Sequence, residues 1–267
     1  MRSVLRLYWA YTLASIRSQM QYRASFIMLS VGHFVAAGTE FVALWALFQR
    51  FGSVAGWTLP EVAVFYGLGN VAFAIAEGAA RGFDTFAALV KRGDFDRILL
   101  RPRGTALQIG ASEFQLIRIG RLSQGLLVLI WGAAQLHVAW SFWRVALVIW
   151  TVGCGAAMFS GLFVLQATSA FWTTESLEVW NTLTYGGVQT AQFPLTLYAD
   201  WFRRFFTYIV PLAAIAYFPA VAILGKADPL GTSRAFQAVA PVAGVAFLGL
   251  SLLAWRIGVQ HYHSTGT

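Results

Sequence analysis

The sequence predicts an all-α, polytopic integral membrane protein with six transmembrane helices, and three observations predict it. The chain of 267 residues is 58% hydrophobic and only 11% charged, with a mean hydropathy of +0.63. That is more apolar surface than a soluble domain of this length can bury. Apolar windows of ~20 residues, the length that crosses ~30 Å of hydrocarbon, recur along it. The basic residues behind the net charge of +8 lie between those windows. A nucleic-acid-binding protein would gather them on one soluble face, so the charge here reports membrane orientation. One transmembrane domain over 1–267 follows, with two segments set apart: 1–24 and 81–121.

Residues 2 to 23 place Leu5, Tyr8, Trp9, Thr12 and Ile16 at helical spacing, with Arg2, Arg6, Arg17 and Arg23 able to reach lipid headgroups. The expectation is an amphipathic helix lying on the inner leaflet and retained in the mature chain. A compact apolar core and a small-residue cleavage pattern are both missing from it.

The first two spans are expected near Phe26 to Phe48 and Glu61 to Ala80. Residues 81 to 121 then carry eight basic residues: Arg81, Lys91, Arg92, Arg97, Arg101, Arg103, Arg118 and Arg121. Lysine and arginine accumulate in cytoplasmic loops, so this segment and the N-terminus are read as cytoplasmic. The loops Gln49 to Pro60 and Ser141 to Arg144 carry one basic residue each and are read as exterior.

Within 81–121 the string "KRGDFDRILLRPRG" has its own grammar. Lys91 and Arg92 close one helix, Gly93 supplies a left-handed cap, and Asp94 is offered as the N-cap of a second helix. Pro102 ends that helix after about two turns by pushing Arg101 out of the helical region. Phe95, Ile98 and Leu99 fall at i, i+3 and i+4 and form one apolar face. A short capped helix with apolar knobs in a charged surround fits a groove on another protein.

The third and fourth spans are expected at Leu122 to Trp140 and Val145 to Trp172, and the last at Ala235 to Trp255. The small residues of "GCGAAMFSG", Gly153 to Gly161, are read as a close-packing surface within the fourth span. Between the fourth and last spans two segments compete. By charge alone, Arg203 and Arg204 are cytoplasmic and Phe205 to Gly225 is the fifth span.

The residues Gly93, Phe95, Asp96, Leu99, Leu100, Arg101 and Pro102 sit after two spans and before a third that is preceded by Arg118 and Arg121. In this arrangement the chain resembles the type 2 class of ABC exporter permeases, in particular a bacterial branch with a "G-x-F-D-x-x-L-L-R-P" loop. The resemblance covers nearly the whole chain. It implies a permease dimer bound to two cytosolic ATPase subunits. The 81–121 elbow then serves as coupling helix through Gly93, Asp94, Phe95, Asp96, Ile98, Leu99, Leu100, Arg101 and Pro102. It also implies a bacterial inner membrane location; the basic-residue bias and six spans together place both termini in the cytoplasm. It makes Ser176 to Tyr198 the fifth span and Phe205 to Gly225 an exterior re-entrant hairpin broken at Pro211 and Pro219. This reading is preferred, although Arg203 and Arg204 count against it.

No G-x-x-x-x-G-K-[ST] is present and the only lysines are Lys91 and Lys226, so ATP and Mg are expected on a partner, with no cofactor in this chain. The histidines His33, His137, His261 and His263 are scattered, and Cys154, a lone cysteine in an apolar run, reads as a small buried hydrophobe. Glu40 lies well inside the first span, where an uncompensated carboxylate costs a few kcal/mol. His33 is two turns earlier on the same face. The pair is a candidate lining for a transport path or for the interface between permeases. Glu77 is expected to pair with Arg81 at i, i+4. The alternatives to a transport subunit are a membrane-embedded lipid-modifying enzyme, using Glu40 or His33 as base, and a non-catalytic membrane scaffold. The partners expected are cytosolic ABC ATPases, an identical or different second permease and membrane lipids, with no nucleic acid.

Overall fold

The computed structural model describes residues 2–136, 138–173, 177–228 and 230–262, with side chains from Tyr11 onward except Leu177. The chain is nearly all helix. Helix α1 (Arg2–Met20) leads into α2 (Arg23–Phe51), and a two-residue β-hairpin, β1 (Ser53–Val54) against β2 (Trp57–Thr58), turns the chain into α3 (Leu59–Ala79). The hairpin turn takes positive φ at both Ala55 and Gly56, the geometry that matches strand twist in a two-residue loop. Thr58 and Glu61 form a capping box at the start of α3, with Pro60 beside it, so the donors of the first turn are satisfied by short-range chemistry.

Four short helices make the charged elbow: α4 (Arg81–Asp84), α5 (Phe86–Lys91), α6 (Phe95–Leu99) and α7 (Thr105–Ser112). A 3₁₀ turn, Leu116–Arg118, opens α8 (Ile119–Gln135), and Ser141 caps α9 (Phe142–Ser169) by accepting from the Arg144 backbone N–H at 3.4 Å. Beyond these come α10 (Leu177–Ala191), α11 (Asp200–Tyr208), a π-helical turn (Ala213–Tyr217), α12 (Phe218–Leu224), α13 (Arg234–Val239) and α14 (Val242–Gln260).

Among the described residues five helices are long and apolar enough to cross a membrane: α2, α3, α8 with its opening turn, α9 and α14. A sixth crossing is counted if α11 and Ala213–Leu224, bent by 84°, act as one span. The centre of the bundle is α3, 83% of whose apolar window is buried, whereas only 11% of that of α2 is. The exposed apolar side chains of α2 (Ile27, Met28, Val31, Val35, Val42) and of α14 (Val245, Leu250, Leu253, Ile257) therefore lie on the outside of the bundle, open to lipid or to another apolar surface. Small residues set the distances. A Cβ at Gly120 of α8 would overlap the Ser30 carbonyl oxygen of α2, and one at Gly161 of α9 would lie 2.9 Å from the Phe247 ring of α14. The close packing expected over Gly153 to Gly161 is met at Gly155, where a Cβ would lie 2.9 Å from that of Ala72, and at Gly161, but not at Gly153, where a Cβ would meet nothing within 4 Å.

Two boundaries differ from expectation. The last span starts at Val242, seven residues late, because Pro241 has no N–H to continue α13 and the chain restarts there. The third ends at Gln135, where Leu136 turns extended (ψ 126) well before Trp140.

The contested region follows α3 in reverse. The Tyr185 hydroxyl donates to Glu77 at the end of α3 (3.1 Å), a Cβ at Gly69 would lie 3.4 Å from that of Ala191, and Trp57 Nε1 donates to Thr196 at the start of α3 (3.1 Å). The path from α10 to the Leu195–Leu197 turn thus runs antiparallel along the whole of α3, although α10 itself is only 15 residues long. Helices α11 and α12 leave from beside Trp57 and come back to it. Lys226, just past α12, donates to the Gly56 carbonyl (3.0 Å), pairs with Glu61 (2.8 Å) and lies 4.1 Å from the centre of the Trp57 ring.

Candidate functional site

The elbow is built on a complete helix-ending motif. Gly93 takes φ +71, its N–H donates to the Val90 carbonyl (3.0 Å), and the Asp94 N–H donates to Leu89 (3.2 Å), the paired bonds of a Schellman cap. The cap reverses the chain, and α6 starts directly behind it. Asp94 does not cap that helix. Its own backbone is already helical (φ −70, ψ −15), which turns the carboxylate away from the first-turn donors, and it pairs instead with Arg92 (3.1 Å) and Arg97 (3.7 Å).

Phe95 is the second departure. It was expected on a face offered to another protein, but it is fully buried in this chain. Its ring sits edge-on to Phe86 (5.1 Å) and Tyr262 (4.9 Å) and against Phe171 (5.6 Å), with Trp255 at 6.4 Å. An aromatic pocket formed by the ends of α9 and α14 was ready to take it, and burying a phenylalanine there is worth roughly 1.5–3 kcal/mol. Ile98 packs partly against the same core. Asp96 lies beside the Tyr262 hydroxyl, and that hydroxyl is pushed up from its ordinary pKa by burial and by the carboxylate. What remains outward is Leu99, 40% exposed, and Leu100, 85% exposed, flanked by Arg97 and Arg101. Arg101 reaches the Tyr11 hydroxyl of α1 (3.5 Å). The turn through Pro102 is braced by Gln108 of α7, whose amide donates to the carbonyls of Arg103 (3.0 Å) and Ile98 (3.3 Å).

Above the elbow lies a buried charge cluster. Glu77, with no solvent exposure, pairs with Arg118 (3.0 Å) and Arg121 (3.8 Å) and accepts from Tyr185. Arg121 also lies over the Phe73 ring, 5.2 Å from its centre. The expected Glu77–Arg81 pair does not form. The helix breaks at Ala80 (φ −114, ψ 17), which swings Arg81 off the i+4 position and onto Asp84, itself bonded by Gln166 at 2.7 Å. Arg118 and Arg121 precede the third span and Glu77 closes the second; adjacency of antiparallel neighbours was the signal that could have joined them.

His33 faces the same cluster, 3.4 Å from Arg118. Ala37, buried between His33 and Glu40, accepts from the Tyr66 hydroxyl of α3 at 2.7 Å. The face of α2 that carries both residues is therefore turned to α3 and α8 and away from lipid. One Glu40 carboxylate oxygen is buried without a hydrogen-bond partner. At the N-terminus, Ser15 and Gln19 of α1 both donate to the Phe114 carbonyl, and Gln19 accepts from the Leu116 N–H (2.9 Å). Thr12 is buried, while the side chains of Leu5, Tyr8 and Trp9 lie outside the described residues, as do His137 and His263. Among the described residues no three His, Cys, Asp or Glu side chains gather to hold a metal ion.

The fold is a nearly all-helical, multi-pass bundle carrying a charged elbow at one end. Over residues 34–266 the chain matches the family model described as ABC-2 family transporter protein, and it belongs to that family. It is thus a membrane permease subunit of an ABC transporter, a type of chain that associates with ABC ATPase subunits. No curated protein and no solved structure matches it.

Proposed function

We propose that this chain is an exporter permease of a bacterial inner membrane, with both termini cytoplasmic, and that the elbow is where partner ATPases deliver their work. ATP and Mg belong to those ATPases, and the second permease is an identical or a different chain. The observation that carries the reading is the two-sidedness of α6. Leu99 and Leu100 are presented outward, whereas Phe95 is locked to Phe171 and Tyr262 at the ends of α9 and α14. A push on the outer side is transmitted to two spans through an aromatic core too dense to deform gradually. Docking falls to Leu99, Leu100, Arg101 and Arg97, with Gly93, Asp94 and Pro102 shaping the turn and Phe95, Asp96 and Ile98 as anchor.

The α10 segment completes a sixth crossing in this reading, and α11 to α12 is a re-entrant hairpin, supported by the return of both its ends to Trp57. Helix α1 lies along the inner leaflet. The half-buried Glu40, with His33 below it, is the candidate for a polar lining between α2, α3 and α8. Replacing Leu100 by Asp is expected to abolish co-purification of the ATPase without lowering the amount of permease in the membrane. Unchanged co-purification in Leu99→Asp/Leu100→Asp defeats the docking assignment. Phe95→Ala is expected to keep ATPase binding but to uncouple hydrolysis from transport.

A further inference from the structure

At the end of the bundle opposite the elbow, two cavities run into one another. The first, about 400 Å³, is walled by Ser141, Arg144 and Arg234 over the turn at Gly225. The second, about 330 Å³, is lined by Leu147, Trp150 and Val242 where α9 meets α14. Trp143 and Ala238 belong to both, so a polar mouth opens into an apolar groove along the membrane-facing side.

The polar mouth carries two guanidinium groups and no carboxylate among its lining residues, and no salt bridge among the described residues involves either arginine. Arg144 is held in place by donating to the Ala139 carbonyl, and one of its nitrogens lies over Gly225, 3.4 Å from where a Cβ would stand. The Arg234 side chain is exposed and makes no hydrogen bond among the described residues. Two guanidinium groups at one mouth, one held by the Ala139 carbonyl and the other exposed and unpaired, beside the N-terminus of a 28-residue helix, favour an anion with several acceptor oxygens. The groove below them is apolar, and Trp143 and Trp150 at its rim are 63% and 45% exposed, as interfacial tryptophans are. Charge at one end and an apolar groove at the other describe one molecule.

We infer that this composite groove binds an anionic phospholipid of the leaflet opposite the elbow, the phosphate between Arg144 and Arg234 and an acyl chain between Trp143, Trp150 and Val242. Nothing in this assignment depends on the elbow or on ATPase docking.

The test uses the purified full-length chain in detergent, titrated with phosphatidylglycerol or with phosphatidylcholine of the same acyl chains and read by native mass spectrometry. A preference for phosphatidylglycerol of about tenfold or more is expected, the size of one charge-assisted contact. Arg234→Gln, which breaks no bond in the protein, should reduce that preference, and Arg144→Gln/Arg234→Gln should remove it. Ala238→Trp, which fills the groove and leaves both arginines, should weaken retention of both lipids. Equal competition by inorganic phosphate would show a free-anion site and overturn the assignment. So would a lipid preference unmoved by Arg234→Gln, or a shift from dimer to monomer in that variant with the preference intact, the mark of a second permease seated on this face.

Discussion

Glu77 shows why single residues in this chain must be judged with their neighbours. A carboxylate with no solvent exposure survives because Arg118, Arg121 and the Tyr185 hydroxyl surround it, drawing α3, α8 and α10 to one point. Removing one member of a buried ion pair leaves the others uncompensated and costs about 3–5 kcal/mol, far more than the pair itself is worth. Glu77→Gln is therefore expected to lower the thermal stability of the purified chain sharply, by an amount of that order. Glu77→Gln/Arg118→Gln should recover part of it, and additive losses in the double variant would disprove the coupling. The i, i+4 rule had assigned Glu77 to Arg81 and was wrong because the rule presumes an unbroken helix, whereas this one breaks at Ala80.

At the scale of elements, α6 and the bent pair α11 and α12 are each fixed by their ends. The elbow's turn chemistry was legible: Gly93 does what a glycine after Lys91–Arg92 announces, and Pro102 stops the short helix. The inward rotation of Phe95 was not legible, since spacing gives a face without saying what that face meets, and the aromatic partners Phe171, Trp255 and Tyr262 come from far along the chain. The exit from α12 is pinned by Asp228. Its carboxylate accepts from the Tyr217 hydroxyl (2.8 Å), from the backbone N–H groups of Leu230 (3.0 Å) and Thr232 (3.2 Å) and from the Thr232 hydroxyl. Burial alone would raise its pKa, but those bonds outweigh burial and hold it below the ordinary 3.8. A depressed carboxylate pKa stabilises the fold above its unfolded value and ceases to do so as pH falls through the folded one. Thermal stability should then drop as pH is lowered below about 3.8, and Asp228→Asn should be less stable at neutral pH with that acid-side drop reduced. A variant as stable as the parent at pH 7 would refute the pin.

For the whole molecule the deciding quantity is which end each loop occupies. Trp57, Thr196 and Lys226 meet at one end of α3, and Glu77, Tyr185 and Arg118 at the other. Single cysteines placed at Ser53 and Arg204 are expected to react with a membrane-impermeant thiol reagent from one side, and a cysteine at Arg92 only from the other. Native Cys154 is buried and should stay silent. Labelling of Arg204→Cys from the Arg92 side would make α11 and α12 a true span and restore the assignment that the basic charge of Arg203 and Arg204 alone favours.

Composition and periodicity determined by themselves that this chain is a helical membrane bundle, roughly where its long spans lie, and that a charged elbow interrupts it, because hydrophobic length and loop charge are local properties written in consecutive residues. Tertiary structure alone decided which side chains of the elbow are anchored and which are offered. It also decided that Glu77 is balanced from α8, that α10 retraces α3, and that Arg144 and Arg234 share one cavity. Each of these depends on residues separated by tens of positions along the chain, and only packing, which rewards complementary shape and charge whatever the sequence distance, brings them together.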